Sequence, residues 1–160
     1  MENIDIPIRA RVALATGNLH EANLILKQPY SIFGIVIMGR QLGRTLGFPT
    51  ANLELLEDFP LLLANGVYAA KIAMDYTFYE GMVNIGVRPT FNQDSHSIEV
   101  NIFNFSADVY GKCLQVFFID RLRDEQKFPS LEELKKQLTL DRKKAEEILI
   151  SWNKFNSNPK

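Results

Sequence analysis

The amino-acid sequence predicts a mainly β protein, an antiparallel meander or Greek-key barrel with helices at both ends. Runs rich in β-branched and aromatic residues, bounded by Gly, Pro, Asn or Asp, occupy the middle of the chain. These runs span residues 30–38, 66–74, 79–85, 97–105 and 112–122. Short connections between them, such as residues 74–76 and 108–111, favour antiparallel neighbours, because parallel strands need long crossovers. Closure into a barrel would also remove exposed strand edges.

Helical periodicity appears before and after this β-rich region. Between residues 8 and 26 apolar residues recur at helical spacing with an interruption at Gly17-Asn18, which predicts two short helices. Ser130 and Glu133 form a capping box that predicts the start of a C-terminal helix. We expect Asp141 to cap a second segment, with an apolar stripe that packs against the barrel.

Composition places the chain among globular proteins and excludes several partners. Apolar residues make up 46% and charged residues 23%, so neither disorder nor a fibrous structure is expected. A net charge of −1 lacks the positive surplus that binding to nucleic acid or to anionic membranes requires. No stretch is apolar for long enough to form a membrane helix, so we expect a cytoplasmic protein. Cys113 lies in an alternating apolar run and is expected to be buried.

The most informative segment is glycine-rich and follows the first predicted strand. Residues 39–52 read GRQLGRTLGFPTAN. Glycines let backbone N–H groups approach a phosphate closely, although the Lys-Ser/Thr ending of a P-loop is absent. Thr50 and Asn52 offer a hydroxyl and an amide carbonyl, which are oxygen ligands that suit Mg²⁺. An ordinary turn is the alternative, because Gly, Pro and Asn are common turn residues.

A later strand carries a candidate catalytic base. In SIEVNIFNF, residues 97–105, alternation places Glu99 on one face with Asn101 and two aromatic residues. A carboxylate among apolar neighbours can accept a proton from an alcohol, which is a role that a kinase needs filled. The alternative is that Glu99 is an ordinary strand residue whose side chain is solvated. The segment NIGVRPTF, residues 84–91, ends another strand and is a weak signal by itself.

These three segments, in their order along the chain (residues 39–52, 84–91 and 97–105), resemble the riboflavin kinase family. The similarity continues through DVYGK at residues 108–112 and LRDEQKF at residues 122–128. The GFPTAN block is highly specific to that family. The resemblance implies a six-stranded antiparallel Greek-key β-barrel with a C-terminal helix. It also implies transfer of the γ-phosphoryl group of Mg·ATP to the ribityl 5′-hydroxyl of riboflavin, with FMN and ADP as products.

The same resemblance assigns roles to individual residues. Glu99 looks like the catalytic base, and Thr50 and Asn52 look like the residues that hold Mg²⁺ and phosphate oxygens. The positions that match the ATP site are Gly39, Arg44, Thr50, Asn52, Ile102, Asn104 and Tyr110. Those that match the loop over the flavin are Arg123, Gln126 and Phe128. Gln126 and Asn104 depart from the residues of some members.

The start of the chain is similar to the linker of bifunctional bacterial enzymes that make FMN and FAD. We therefore expect a helical linker-like segment at residues 1–29 and a kinase barrel with its helix at residues 30–155. An adenylyltransferase module is an expected partner in a longer parent protein, but its His-x-Gly-His signature is absent here. The alternative functions are a flavin-binding module without turnover and an oligonucleotide-binding barrel, which would need a basic groove.

Overall fold

A computed structural model describes residues 5–39, 41–56, 60–89 and 94–157 of the chain. Its elements are α1 (Ile8–Ala15), α2 (Leu19–Leu26), β1 (Ser31–Ile37), α3 (Leu42–Thr45), β2 (Ala51–Leu55), β3 (Gly66–Met74), β4 (Thr77–Pro89), β5 (Asp94–Ile102), β6 (Cys113–Arg123) and α4 (Leu131–Asn156). Within these residues six antiparallel strands close into a barrel in the order β1-β2-β5-β4-β3-β6. The predicted mainly β barrel is confirmed. Strand β6 returns to lie beside β3 after the β3-β4-β5 meander, which is a Greek-key connection.

Three local expectations are wrong. Strand β2 begins at Ala51, so the last two residues of the GFPTAN block belong to a strand that the five predicted runs did not include, and the alternative of an ordinary turn is wrong for them. Strand β5 ends at Ile102 and not at residue 105, because Asn104 has a φ of 54°, which an extended strand does not accommodate. Cys113 is exposed, because the first residue of β6 faces away from the barrel core.

The C-terminal helix is one continuous element. Its N-terminus is capped as predicted, since the Ser130 side chain accepts a hydrogen bond from the backbone N–H of Glu133. The predicted cap at Asp141 is wrong, because this residue lies inside α4 and is buried. No Gly or Pro stands near it to end the helix, and its carboxylate binds Arg123 of β6 instead of a backbone N–H.

Two apolar clusters occupy opposite sides of the barrel wall. Ile98, Val100 and Ile102 of β5 belong to the larger cluster, which also contains residues of α1 and α2. The next residue, Phe103, belongs to a second cluster together with Leu149 of α4. This division follows from the alternation of side chains along a strand. The outer wall of the barrel is therefore available for a site beneath α4.

The contact between α4 and the barrel can be tested at Leu149, which is fully buried in the second cluster. Leu149→Ala should lower the free energy of unfolding by about 2–5 kcal/mol, because it removes buried methyl groups and leaves a cavity. Its neighbour Ile150 is 52% exposed, so Ile150→Ala should change that free energy by about 0.5 kcal/mol or less. Urea titrations followed by circular dichroism measure both. Equal losses would contradict the orientation of α4.

Candidate functional site

A cavity of about 270 Å³ lies between the outer wall of the barrel and α4. Its size is close to the lower end of the range for small-molecule sites, roughly 300–1,000 Å³. It is lined by residues of the glycine-rich loop, of β2 to β6, of the segment that follows β6, and of α4. These residues are Gln41, Gly43, Leu46, Phe48, Thr50, Asn52, Val67, Met82, Asn84, Glu99, Asn101, Arg123, Glu125, Gln126, Phe128, Leu134 and Leu138.

Strand register places three polar side chains in a row on the cavity wall. Glu99 of β5 lies opposite Asn52 of β2 on one side and opposite Asn84 of β4 on the other. Directly opposed residues face the same side of a sheet, with Cβ atoms about 4.5–5.5 Å apart. Thr50 lines the same cavity just before β2. The residue predicted as the base and the two predicted as metal ligands therefore meet in one place.

Glycines bring the loop before β2 close to this row. A Cβ atom on Gly39 would overlap the side-chain amide of Asn52, so any larger residue must displace that amide. A Cβ atom on Gly43 would overlap the carbonyl oxygen of Phe48, and the Phe48 N–H donates to the Gly43 carbonyl at 2.8 Å. Gly47 has a φ of +82°, which other residues rarely adopt. The glycines of the motif thus allow the loop to fold back on itself and onto Asn52.

The other residues matched to the ATP site lie outside the cavity lining. Tyr110 lies beside it, since Gln41 Nε2 donates to Tyr110 Oη at 3.0 Å and Gln41 lines the cavity. Arg44 is exposed in the last turn of α3. The Ile102 side chain is buried in the larger apolar cluster, and Asn104 accepts a hydrogen bond from an arginine of α4. The loops that carry Gly39, Arg44 and Tyr110 therefore border the cavity.

A bidentate ion pair attaches α4, which forms the roof of the cavity, to the barrel. Arg123 Nε lies 2.9 Å from Asp141 Oδ1, and Arg123 Nη2 lies 2.8 Å from Asp141 Oδ2. Gln137, one turn earlier on α4, donates to the same carboxylate at 2.9 Å. The Arg123 guanidinium also lies 5.6 Å from the centre of the Phe128 ring. The pair thus connects α4 to the segment after β6 that carries Phe128 and Gln126, the other residues matched to the flavin loop.

Sequence reasoning missed several polar residues at this site. Asn84 lies in the NIGVRPTF segment, but only the register of β4 and β5 places it beside Glu99. Asn101 shares an alternating face with Glu99, which was a usable signal. Asp141 was predicted only as a cap, although a carboxylate on the apolar side of a helix indicates a buried partner. Arg40, Thr90 and Phe91 of the two motifs lie outside the described residues.

Comparison with known proteins identifies the family. The chain matches the family model for riboflavin kinase (flavokinase) over residues 26–149. The chain belongs to the riboflavin kinase family. It is 43% identical over 138 residues to the bifunctional riboflavin kinase/FMN adenylyltransferase of Bacillus subtilis (strain 168), an alignment that covers 84% of this chain and 43% of that protein. It is 40% identical over 139 residues to the protein of the same name from Escherichia coli (strain K12), covering 86% and 44%.

The chain spans less than half the length of these curated relatives. Members of the riboflavin kinase family use ATP, generally with a divalent metal ion. Among the described helices of this family member, none is long and apolar enough to cross a membrane.

Two solved structures resemble this riboflavin kinase family member. A crystal structure described as a macrolide-efflux protein from Streptococcus pneumoniae has a TM-score of 0.81 and 38% identity, and the match covers 89% of this chain and 47% of that one. Riboflavin kinase from Trypanosoma brucei has a TM-score of 0.55 and 24% identity, covering 76% and 78%. The second likeness concerns the fold alone.

The Arg123–Asp141 ion pair should contribute more to the free energy of unfolding than a more exposed ion pair on α4. Asp141→Ala leaves the largely buried Arg123 side chain without its partner, so the free energy of unfolding should fall by about 3 kcal/mol. Arg142 and Glu146 form a more exposed pair, and Glu146→Ala should cost about 0.5 kcal/mol or less. Urea titration of both variants gives the comparison. A similar, small loss in each would contradict the anchoring role of Asp141.

Proposed function

We propose that this chain is a riboflavin kinase that transfers the γ-phosphoryl group of ATP to the 5′-hydroxyl of the ribityl chain of riboflavin. The products are FMN and ADP. The observation that carries the proposal is the row formed by Asn52, Glu99 and Asn84 in one cavity, with Thr50 beside it. Phosphoryl transfer depends on positioning and charge stabilisation more than on covalent catalysis, and this row offers a proton acceptor next to oxygen ligands.

Glu99 is the group placed to accept the proton. Its half-buried carboxylate lies on the cavity wall between two asparagines. In the reaction the 5′-oxygen of riboflavin forms a bond to the γ-phosphorus of ATP, and the bond from that phosphorus to the β–γ bridging oxygen breaks. The hydroxyl proton passes to the Glu99 carboxylate, and ADP leaves with the electron pair of the broken bond. A positioned general base of this kind contributes about 10²–10⁴-fold to a rate.

Thr50 and Asn52 fit the metal ion that would accompany ATP. A hydroxyl and an amide oxygen are hard ligands, and Mg²⁺ takes few protein ligands and completes its shell with water and phosphate oxygens. The missing side chain at Gly39 leaves the space that the Asn52 amide occupies. We infer that these two residues hold Mg²⁺, which would neutralise charge on the phosphoryl group when bound.

The rest of the cavity suits a flat ring system. Apolar side chains of the barrel wall and α4 line it, among them Met82, Leu134 and Leu138. Arg123 at the end of β6 and Phe128 in the segment after it enclose the cavity, and Gln126 adds an amide. We infer that the isoalloxazine ring lies between these groups with its ribityl chain directed to Glu99. ATP would then approach from the loops that carry Gly39, Arg44 and Tyr110.

The bacterial relatives suggest a partner. Their names include an FMN adenylyltransferase activity. We infer a module of that kind as a partner of this chain, with residues 1–29 as a linker-like segment. Within the described part of that segment, Leu14 and Leu19 pack into the barrel core, so its helices are held against the kinase domain. A cytoplasmic location remains a prediction.

The activity itself is tested by incubating the protein with riboflavin and Mg·ATP and separating the flavins by chromatography. We expect FMN and no FAD, because the 160 residues contain one predicted phosphoryl-transfer site and no adenylyl-transfer signature. Flavin binding without FMN formation would favour the non-catalytic module. FAD formation would contradict the assignment of a single activity.

Glu99→Gln tests the base. The amide keeps the size of the side chain but does not accept the proton, so turnover should fall by about 10²–10⁴-fold. Riboflavin affinity, measured by quenching of flavin fluorescence, should change by less than about tenfold, because the amide still forms hydrogen bonds. Glu54→Gln is the matched control, since Glu54 is an exposed residue of β2 outside the cavity lining, and it should retain full turnover. A Glu99→Gln variant with near-normal turnover would remove Glu99 from the mechanism.

Gly39→Ala should reproduce the effect of changes at the metal ligands. Its methyl group would displace the Asn52 amide, so Gly39→Ala, Asn52→Ala and Thr50→Ala should each reduce turnover about 10–100-fold and raise the Mg·ATP concentration required. Gly86→Ala is the comparison, because its methyl group meets the end of the flexible Glu125 side chain, which lines the cavity but is not a predicted metal ligand, so the requirement for Mg²⁺ should not change. Initial rates across a Mg²⁺ and ATP series provide the measurement. Unchanged metal dependence at Thr50 and Asn52 would place the metal elsewhere.

A further inference from the structure

A buried amide oxygen on the cavity wall lacks a hydrogen-bond partner among the described residues. Asn101 is 4% exposed and lines the cavity, and its Oδ1 accepts no hydrogen bond from the described part of the chain. Buried polar atoms in native proteins are almost always paired, because an unpaired acceptor has lost its water without compensation. An unpaired acceptor on a residue that lines a ligand cavity therefore points to a donor on the ligand.

The orientation of the Asn101 amide follows from its neighbour. Asn101 Nδ2 donates to the backbone carbonyl oxygen of Pro49 at 2.7 Å. A carbonyl oxygen only accepts hydrogen bonds, so the NH₂ group must face Pro49 and Oδ1 must face the other way. With the amide reversed, Asn101 Oδ1 would face the Pro49 carbonyl oxygen, and two acceptors would lie against each other without a proton between them. The free acceptor is thus determined by the chemistry of the neighbouring carbonyl.

The position of Asn101 indicates which part of a ligand it meets. It follows Glu99 by two residues on β5, so both side chains project from the same face of the strand, about 7 Å apart along it. Both line the same cavity. A ligand with its reacting hydroxyl at Glu99 and its chain directed along β5 would present its neighbouring groups to Asn101. In riboflavin those groups are the secondary hydroxyls of the ribityl chain, each of which has an O–H to donate.

We propose that Asn101 Oδ1 accepts a hydrogen bond from a secondary hydroxyl of the ribityl chain and thereby makes the site selective for flavins that carry this polyol. The inference rests on the proposed function, because it needs riboflavin in this cavity. A site built to pair with a ligand hydroxyl discriminates against analogues that lack it, since its own buried group is then left unpaired. The Nδ2 contact to Pro49 also connects Asn101 to the segment before β2 that carries Thr50.

The test compares two flavins without ATP. Lumiflavin has the isoalloxazine ring of riboflavin with a methyl group in place of the ribityl chain. Binding of both ligands to the unmodified protein and to Asn101→Ala is measured by fluorescence quenching. Riboflavin affinity should fall roughly three- to tenfold in the variant, while lumiflavin affinity stays within about twofold, because only riboflavin has the hydroxyl donors.

Three results would overturn the proposal. An equal loss of affinity for both flavins would mean that Asn101 acts by holding the segment at Pro49 or by contacting the isoalloxazine ring. An unchanged riboflavin affinity would remove Asn101 from binding, and an unmodified protein without a preference for riboflavin would leave no polyol recognition to explain. Riboflavin binding without FMN formation would instead reject the kinase activity and leave the role of Asn101 intact, so the two failures are distinguishable.

A second variant addresses the dependence on Pro49. Asn101→Asp keeps an oxygen acceptor at this position but removes the NH₂ donor that binds the Pro49 carbonyl. It should retain the preference for riboflavin over lumiflavin to within about threefold, even if both affinities fall together. Loss of the preference in Asn101→Asp would also overturn the proposal. Thermal unfolding of each variant verifies that it is folded, and the Asp variant decides the matter if the Ala variant does not fold.

Discussion

The pairing register between β2, β5 and β4 is the constraint on which the site depends. It aligns Asn52, Glu99 and Asn84 across the barrel wall. A slip of one residue would turn the side chains of a strand to the opposite face, and would place the carboxylate in the apolar barrel core. Barrel closure resists such a slip, because each strand is paired on both sides. The chemistry of the site is in this sense a consequence of sheet geometry.

Alternation along β5 serves packing and chemistry together. One face of this strand contributes Ile98 and Val100 to the larger apolar cluster, while the other presents Glu99 and Asn101 to the cavity. The apolar face holds the strand in its register, and the polar face is thereby held in position. A site on a rigid strand is more accurately placed than a site on a loop.

The roof of the cavity depends on a different kind of contact. Apolar packing holds α4 on the barrel through residues such as Ala145 and Leu149, and this packing has little directional preference. The Arg123–Asp141 pair adds direction, because a planar guanidinium and a carboxylate fit each other in one relative orientation. Replacing such a pair with apolar residues is often neutral for stability, so its value here is best understood as placement of the segment that carries Phe128.

The sequence by itself determined the elements and residues that depend on local chemistry. Strand periodicity, the Ser130 capping box and the GFPTAN block identified the barrel, the start of α4 and the family, because each depends on residue type over a short stretch. Only the tertiary structure decided which side chains meet. It made residues 51–55 a strand, placed Asn84 beside Glu99, and turned Asp141 from a predicted cap into a buried partner of Arg123. It also exposed Cys113 and left Asn101 Oδ1 without a hydrogen-bond partner among the described residues. These outcomes depend on contacts between residues far apart in the chain, and the periodicity of a single segment contains no information about its partners.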